Sequence, residues 1–166
     1  MTLASLQLRP AVASDLGAIL ALERTTDKAP HWTPAAYAAI VEDHDSHRCL
    51  VLAEHDRALA GFAVALARPA PDDTVGCIAE LESVVVAADA RRVGIGRALC
   101  EAVCDWCRSQ GAAEIVLEVR AASAGAIALY SGLGFEQTDR RPRYYRHPED
   151  DAVVMRLRLG PPPGRK

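Results

Sequence analysis

The stretch LESVVVAADARRVGIGRAL, residues 81–99, constrains the fold of this chain more than any other. It begins with an apolar run typical of a strand, passes through a turn containing Gly94 and Gly96, and continues with apolar residues at helical spacing. Glycines at the start of a helix let the main chain approach an anion, and the free N–H groups and dipole of the helix favour negative charge there. The turn therefore predicts either a site for an anionic group or a plain tight turn.

The rest of the pattern predicts one domain built around a single sheet. We expect strands at residues 3–9, 49–53, 59–66, 78–87, 114–120, 135–138 and 152–159. We expect helices that start after the caps Ser14 and Thr33, and further helices at 94–110 and 124–131. This order predicts an α/β (α+β) fold with a mixed, mainly antiparallel sheet of about seven strands and about four helices. The domain would span residues 1–159, and GPPPGRK, residues 160–166, would be a disordered tail.

Composition excludes several classes of function. The net charge of −3 gives no field for nucleic acid or for an anionic membrane. No stretch reaches the 18 apolar residues of a membrane-spanning helix, and the N-terminus lacks the pattern of a signal peptide. Five cysteines without a signal peptide indicate free thiols in a reducing compartment. We therefore expect a cytoplasmic protein, and no feature of the sequence indicates an oligomeric state.

The glycine turn fits neither common nucleotide motif. A dinucleotide fingerprint needs a third glycine where Leu99 stands, and a P-loop needs Lys and Ser or Thr where Arg97 and Ala98 stand. The turn, the strand before it and AIALYSGLGF (126–135) together resemble the GNAT family of acetyl-CoA-dependent N-acetyltransferases. HWTPAAY (31–37), LEVRAASAGAIALYSGLGF (117–135) and RRPRYYRHPEDDAVVM (140–155) resemble its RimI-like members, which acetylate the N-terminal alanine of a ribosomal protein.

The resemblance implies acetyl-CoA as co-substrate and no metal. The turn would hold the pyrophosphate, and backbone amides of residues 84–86 would polarise the thioester carbonyl. Ser123 stands where the family usually has Asn, so it would contact the cofactor with a shorter reach or cap the following helix. The implied cofactor-binding residues are Val84, Val85, Val86, Arg91, Arg92, Val93, Gly94, Ile95, Gly96, Arg97 and Ser123.

The resemblance also implies a catalytic pair. Glu118 would be the general base, since it lies in the apolar strand EIVLEVR, where desolvation makes a carboxylate a better base. The alternative is that Glu118 pairs with an arginine at the end of the sheet. Tyr130 would protonate the leaving thiolate, and the alternative is a core aromatic between Leu129 and Leu133.

Four further residues are expected to contact the acceptor: Trp32, Glu82, Tyr144 and Tyr145. Glu82, like Glu80, could also serve as the base or belong to a solvated strand face. Tyr144 and Tyr145 would lie in the turn between the last two strands and hold the substrate's main chain. Trp32 would lie beside the substrate groove or pack in the core.

Two clusters resemble metal sites without fitting them. Cys100, Cys104 and Cys107 have iron–sulfur spacing, but they share one face of a predicted helix and are better interpreted as small buried hydrophobes. His44 and His47 match no common ligand spacing, which favours a solvated helix end.

Three functions remain open at this point. The first is acetyl transfer to a protein N-terminal α-amine, with the alanine of a small-subunit ribosomal protein as the expected acceptor. An α-amine has a pKa of ~8, below the ~10.4 of lysine, so a weak base such as Glu118 suffices to deprotonate it. The second is acetylation of a small-molecule amine such as a polyamine, an amino acid or an aminoglycoside. The third is a non-catalytic acetyl-CoA-binding module, which the presence of both Glu118 and Tyr130 disfavours.

Overall fold

The computed structural model describes residues 5–26, 32–42, 47–71 and 76–160. These residues form a seven-stranded sheet in the order β1-β2-β3-β4-β5-β7-β6. Only the β4–β5 pair is parallel, and the other pairs are antiparallel. The expected mixed, mainly antiparallel sheet is therefore confirmed. The strands are β1 (Leu6–Pro10), β2 (Arg48–His55), β3 (Ala58–Pro69), β4 (Cys77–Val86), β5 (Glu114–Arg120), β6 (Glu136–Arg146) and β7 (Glu149–Arg158).

Four α-helices lie along the described chain: α1 (Leu16–Arg24), α2 (Pro34–Glu42), α3 (Ile95–Ser109) and α4 (Ala124–Gly132). The crossover between the parallel strands β4 and β5 contains α3, as parallel pairing requires a long connection. No described helix has the length and apolar character to cross a membrane.

The sheet carries an apolar core on each face. On one face, α3 packs its buried side chains against the strands, and Cys100, Cys104 and Cys107 belong to that buried set. Burial raises the pKa of Cys104 to about 11 and that of Cys100 to about 12. The interpretation of these cysteines as small hydrophobes is confirmed. On the other face, Ile19 and Tyr37 of α1 and α2 pack on the centre of the sheet.

The structure confirms one of the two helix caps that the sequence predicted. Thr33 caps α2 as predicted, because the Ala36 N–H donates to Thr33 Oγ1 over 3.2 Å. The Ser14 cap is wrong, since Ala13–Asp15 form a short 3-10 turn and α1 begins at Leu16. Asp15 closes this turn instead, and its Oδ2 accepts a hydrogen bond from the Val12 N–H at 2.8 Å. Asp15 has a longer side chain than Ser14 and forms an ion pair with Arg9, and these two features decide where α1 begins.

The last hairpin is longer than predicted. β6 continues to Arg146 rather than ending at Thr138, so Tyr144 and Tyr145 lie on a strand and not in the turn. This strand forms the edge of the sheet and is exposed along most of its length, so its sequence carries no apolar alternation. Pro142 lies where the register with β7 shifts, which suits a residue without an N–H donor. His44 and the tail at 161–166 lie outside the described residues.

Candidate active site

A cleft of about 1340 Å³ opens where β4 and β5 separate. The two strands pair only at Ala79 with Ile115 and at Glu80 with Val116, and both continue beyond these pairs. A bulge in β4 contributes to the divergence, because Val64 and Ala65 of β3 pair with Ser83 and Leu81 and leave one β4 residue between them. In the described chain, β4 and β5 therefore diverge, and the main-chain groups of β4 that face the gap have no strand partner.

The anion-binding turn forms one end of this cleft. Gly94 adopts a φ of +89° at the N-cap of α3, and Arg92 has a φ of +64°. A Cβ on Gly96 would lie 3.3 Å from Leu129 Cδ2 and 3.6 Å from Val86 Cγ2, so only glycine leaves the start of α3 uncrowded there. These conformations turn the first N–H groups of a 15-residue helix toward the cleft end, a setting that favours phosphate groups.

Arginines surround this turn. Arg91, Arg92 and Arg97 line the cleft, and Arg97 also pairs with Glu101 one turn along the helix at 3.0 Å. Val93 and Ile95 do not line it, and Ile95 is buried in the core. The donor set fits the pyrophosphate of a coenzyme A molecule.

Glu118 lies inside the cleft with an arginine partner. Arg141 Nη1 lies 2.8 Å from Glu118 Oε1, and the Glu118 side chain keeps 23% of its exposure. The interaction of the Tyr144 hydroxyl with Glu118 raises the pKa of Tyr144. Glu118 therefore faces the cleft, as a general base would, and also forms the ion pair with an arginine that was its alternative role.

Two other glutamates line the same cleft. Glu82 accepts two hydrogen bonds from Arg48, at 2.8 Å from Nε and 3.0 Å from Nη2. Glu80 is half-buried, and burial raises its pKa, with the nearby charges of Glu82 and Glu118 adding to the effect. The β4 glutamates thus belong to the cleft rather than to a solvated strand face.

Tyr130 lines the cleft from α4 with 9% of its surface exposed. Its ring packs 5.8 Å from the ring of Phe135, and burial raises the pKa of its hydroxyl. The phenol therefore stays protonated through the neutral range and can serve as a proton donor. Tyr130 therefore packs in the core and also reaches the cleft.

Ser123 and the tyrosine pair also line the cleft. Ser123 is the N-cap residue of α4, as predicted, but its hydroxyl makes no capping hydrogen bond to the described helix. The rings of Tyr144 and Tyr145 meet edge to face at 5.1 Å, and the Arg120 guanidinium lies 4.2 Å over Tyr145. These rings form the wall opposite β4.

Like Val93 and Ile95, the predicted site residue Trp32 does not line the described cleft. Its ring packs 5.5 Å from that of Tyr37, and its main-chain N–H donates to the buried carboxylate of Glu23 at 3.3 Å. The core interpretation of Trp32 therefore holds. Among the described residues, no group of three or more His, Cys, Asp or Glu side chains has the arrangement of a metal site.

The sequence indicated Arg141 only as one of four arginines around the tyrosine pair and did not predict its contact with Glu118. Thr26 and His147, which line the cleft, were not predicted. Arg141 reaches Glu118 across an intervening strand, a contact that no local spacing encodes.

The family model described as the acetyltransferase (GNAT) family matches residues 16–135, which contain the splayed strands, the turn and α4. The chain belongs to the GNAT family. Its sequence is 32% identical to the N-alpha-acetyltransferase RimI of Mycobacterium tuberculosis (strain ATCC 25618 / H37Rv) over 133 residues, which is 79% of this chain and 78% of that relative. Over 81 residues it is 43% identical to the [Ribosomal protein bS18]-alanine N-acetyltransferase of Escherichia coli (strain K12).

The Escherichia coli match covers 48% of this GNAT chain and 55% of the relative, so the chain spans about half the length of that relative. The crystal structure of the ribosomal-protein-S18-alanine N-acetyltransferase from Escherichia coli superposes with a TM-score of 0.73 at 29% identity, over 93% of this chain and 94% of that chain. Arabidopsis thaliana NAA60 in complex with acetyl-CoA superposes with a TM-score of 0.80 at 19% identity, covering 93% and 98%, and shows the shared fold.

Proposed function

We propose that this GNAT protein transfers acetyl from acetyl-CoA to a protein N-terminal α-amine, with the N-terminal alanine of a small-subunit ribosomal protein as the acceptor. The observation that carries the proposal is that Glu118 and Tyr130 line the same cleft as the RRVGIGR turn. The similarity to relatives named for ribosomal-protein-alanine and N-alpha acetylation supports the choice of acceptor.

The residues of the turn fit the cofactor. Main-chain N–H groups from Arg92 to Arg97 would bind the pyrophosphate, with Arg91 beside them and the Ser123 hydroxyl near the start of α4. Val84, Val85 and Val86 would hold the pantetheine arm in the space that β5 leaves open. Acetyl-CoA would supply the acetyl group as a thioester.

Proton transfer would be divided between the two catalytic residues. Glu118 accepts a proton from the acceptor ammonium, so that the nitrogen lone pair can form the new N–C bond. As the C–S bond breaks, the Tyr130 hydroxyl gives its proton to the sulfur, and the phenol recovers the second proton of the nitrogen. The first proton leaves from Glu118 to solvent, which balances the reaction as an amide, a thiol and one released proton.

The charges of the cleft favour an α-amine over a polyamine. Glu82 and Glu118 both have arginine partners, so the acceptor end of the cleft is less acidic than three glutamates imply. Tyr144 and Tyr145 offer flat surface and hydroxyl groups to a peptide main chain, and Glu82 lines the same cleft. This arrangement suits one ammonium group at the end of a peptide.

The test is acetyl transfer to three acceptors, followed by thiol release and by mass spectrometry of the product. The acceptors are a peptide copying the organism's own alanine-starting small-subunit ribosomal protein, the same peptide with a blocked N-terminus, and spermidine. We expect acetylation of the free peptide alone. Turnover with spermidine alone would assign a small-molecule acceptor, and bound acetyl-CoA without any transfer would indicate a non-catalytic binding module.

A further inference from the structure

Arg141 forms an ion pair with Glu118, the candidate general base. The two residues lie on β6 and β5, and β7 runs between them. Arg141 pairs with Ala152 of β7, which in turn pairs with Arg120, while Glu118 lies opposite Val154. The guanidinium therefore crosses β7 diagonally above a small side chain and ends 2.8 Å from the carboxylate.

We propose that Arg141 occupies the place of the acceptor's ammonium group at Glu118 and is displaced when the acceptor binds. The inference rests on the proposed function, in which Glu118 receives the acceptor amine. It assigns Arg141 as a specificity-determining residue of the same site.

The chemistry of the contact supports exchange between the two cations. A guanidinium and a primary ammonium each present N–H donors and one positive charge, so they compete for the same carboxylate oxygens. Half of the Arg141 side chain is exposed, and half-exposed ion pairs are weak because water screens them. The Tyr144 ring lies 5.6 Å from the guanidinium, and an aromatic face is a favourable resting place for a displaced arginine.

The neighbouring arginines behave differently. Arg140 and Arg143 on the same strand pair with Asp151 and Glu149, at 2.7 Å and 3.3 Å, and neither they nor these partners line the cleft. Arg141 does not line the cleft either, but its guanidinium pairs with Glu118, which does. A purely structural arginine on this hairpin would have an acidic partner on β7, as the other two have.

The exchange explains how the site could select substrate and release product. A free α-ammonium displaces Arg141, whereas a blocked N-terminus carries no charge with which to compete. After transfer the acceptor nitrogen is a neutral amide that no longer competes for Glu118, so Arg141 returns to the carboxylate. We therefore expect Arg141 to lower the affinity for the charged substrate and not for the acetylated product.

The direct test follows the ¹⁵Nε resonance of Arg141 by NMR in the protein loaded with CoA. The position of this resonance in Glu118→Gln defines the released arginine. An alanine-starting peptide, or ethylammonium chloride alone, is expected to move the wild-type resonance toward that position, and the N-acetylated peptide is expected to leave it unmoved. A free peptide that shifts the Tyr145 amide without moving Arg141 Nε would overturn the inference.

The kinetic test compares Arg141→Gln with Arg143→Gln, a matched change on the same strand. We expect the KM for the free peptide to fall about threefold to fivefold in Arg141→Gln only, and the inhibition constant of the acetylated peptide to stay the same in both variants. A KM that stays the same or rises would mean that Arg141 merely orients Glu118, and the inference would be wrong. A wild-type protein that acetylates no α-amine would refute the proposed function separately, because displacement by ethylammonium requires no transfer.

Discussion

Glu80 lies opposite Val116 in the last pair of the parallel β4–β5 ladder. Glu118 follows Val116 by two residues and therefore points to the same side of the sheet. The separation of the strands begins at this pair, so the carboxylates of Glu80 and Glu82 on β4 face the same cleft as that of Glu118 on β5. The site is thus defined by where strand pairing stops.

Replacing Glu118 with Gln should lower kcat by about 10²–10⁴-fold, the usual contribution of a general base. The affinity for acetyl-CoA should stay unchanged, because the RRVGIGR turn lies at the other end of the cleft. Initial rates and calorimetric titration with acetyl-CoA measure the two quantities. Glu114→Gln on the same strand, which loses only an exposed pair with Arg156, is the matched control. Full activity in Glu118→Gln would move the base to β4, with Glu82 and then Glu80 as candidates.

Tyr130→Phe should reduce kcat by about 10²-fold while the midpoint of thermal unfolding stays close to that of the wild type. The ring would keep its packing against Phe135, and only the proton donor would be lost. Tyr37→Phe should show the opposite pattern, since the Tyr37 hydroxyl donates to the buried Glu23 carboxylate on the other core. We expect that variant to lose about 1–3 kcal/mol of unfolding free energy at unchanged kcat. Equal kcat in wild type and Tyr130→Phe would exclude Tyr130 as the donor.

Gly94→Ala should weaken acetyl-CoA binding about tenfold, because the positive φ of +89° at this N-cap orients the amides of the turn. The strain should also cost about 1–2 kcal/mol of stability. Gly111 follows the same helix with a φ of +91°, and a Cβ there would meet no heavy atom within 4 Å, so Gly111→Ala carries similar strain away from the cleft. Calorimetry and urea unfolding on both variants separate binding from strain. Equal losses of affinity would show that general destabilisation, not the turn, determines cofactor binding.

Local chemistry made part of this molecule predictable. The strand, turn and helix at residues 81–99 follow from an apolar run, two glycines and helical periodicity, and each of these acts within a few residues. The Thr33 cap is equally local, since a hydroxyl three residues from an N–H satisfies it. The burial of Cys104 follows from its place on the apolar face of α3.

Contacts between residues far apart in the sequence could not be predicted. β6 is an edge strand held by main-chain pairing with β7, so its polar side chains gave no periodic signal and Tyr144 was expected in a turn. The Arg141–Glu118 pair depends on the spatial order β5-β7-β6, in which the last strand inserts between two earlier ones. The sequence could not decide whether Trp32 lies in the substrate groove or in the core, because that choice depends on where the ring of Tyr37 in α2 packs.

Glu80→Gln should change stability in a pH-dependent way. Burial, followed by the charges of Glu82 and Glu118, raises the pKa of Glu80 in the folded protein above its ordinary value of 4.5. Between the unfolded and folded pKa values the folded state binds more protons, so the free energy of unfolding falls as pH rises through that window. Glutamine resembles the protonated acid and removes this penalty. We therefore expect Glu80→Gln to be more stable than wild type at neutral pH.

The difference between Glu80→Gln and wild type should shrink as pH falls toward the ordinary value of 4.5, because wild-type Glu80 then becomes protonated in both states. Urea unfolding of both proteins at neutral and at acidic pH measures this difference, with Glu114→Gln as the control for loss of a β-strand carboxylate. A Glu80→Gln protein less stable than wild type at neutral pH would reverse the sign, and would mean that the ionised Glu80 is held by favourable contacts instead of being penalised by burial and by its acidic neighbours.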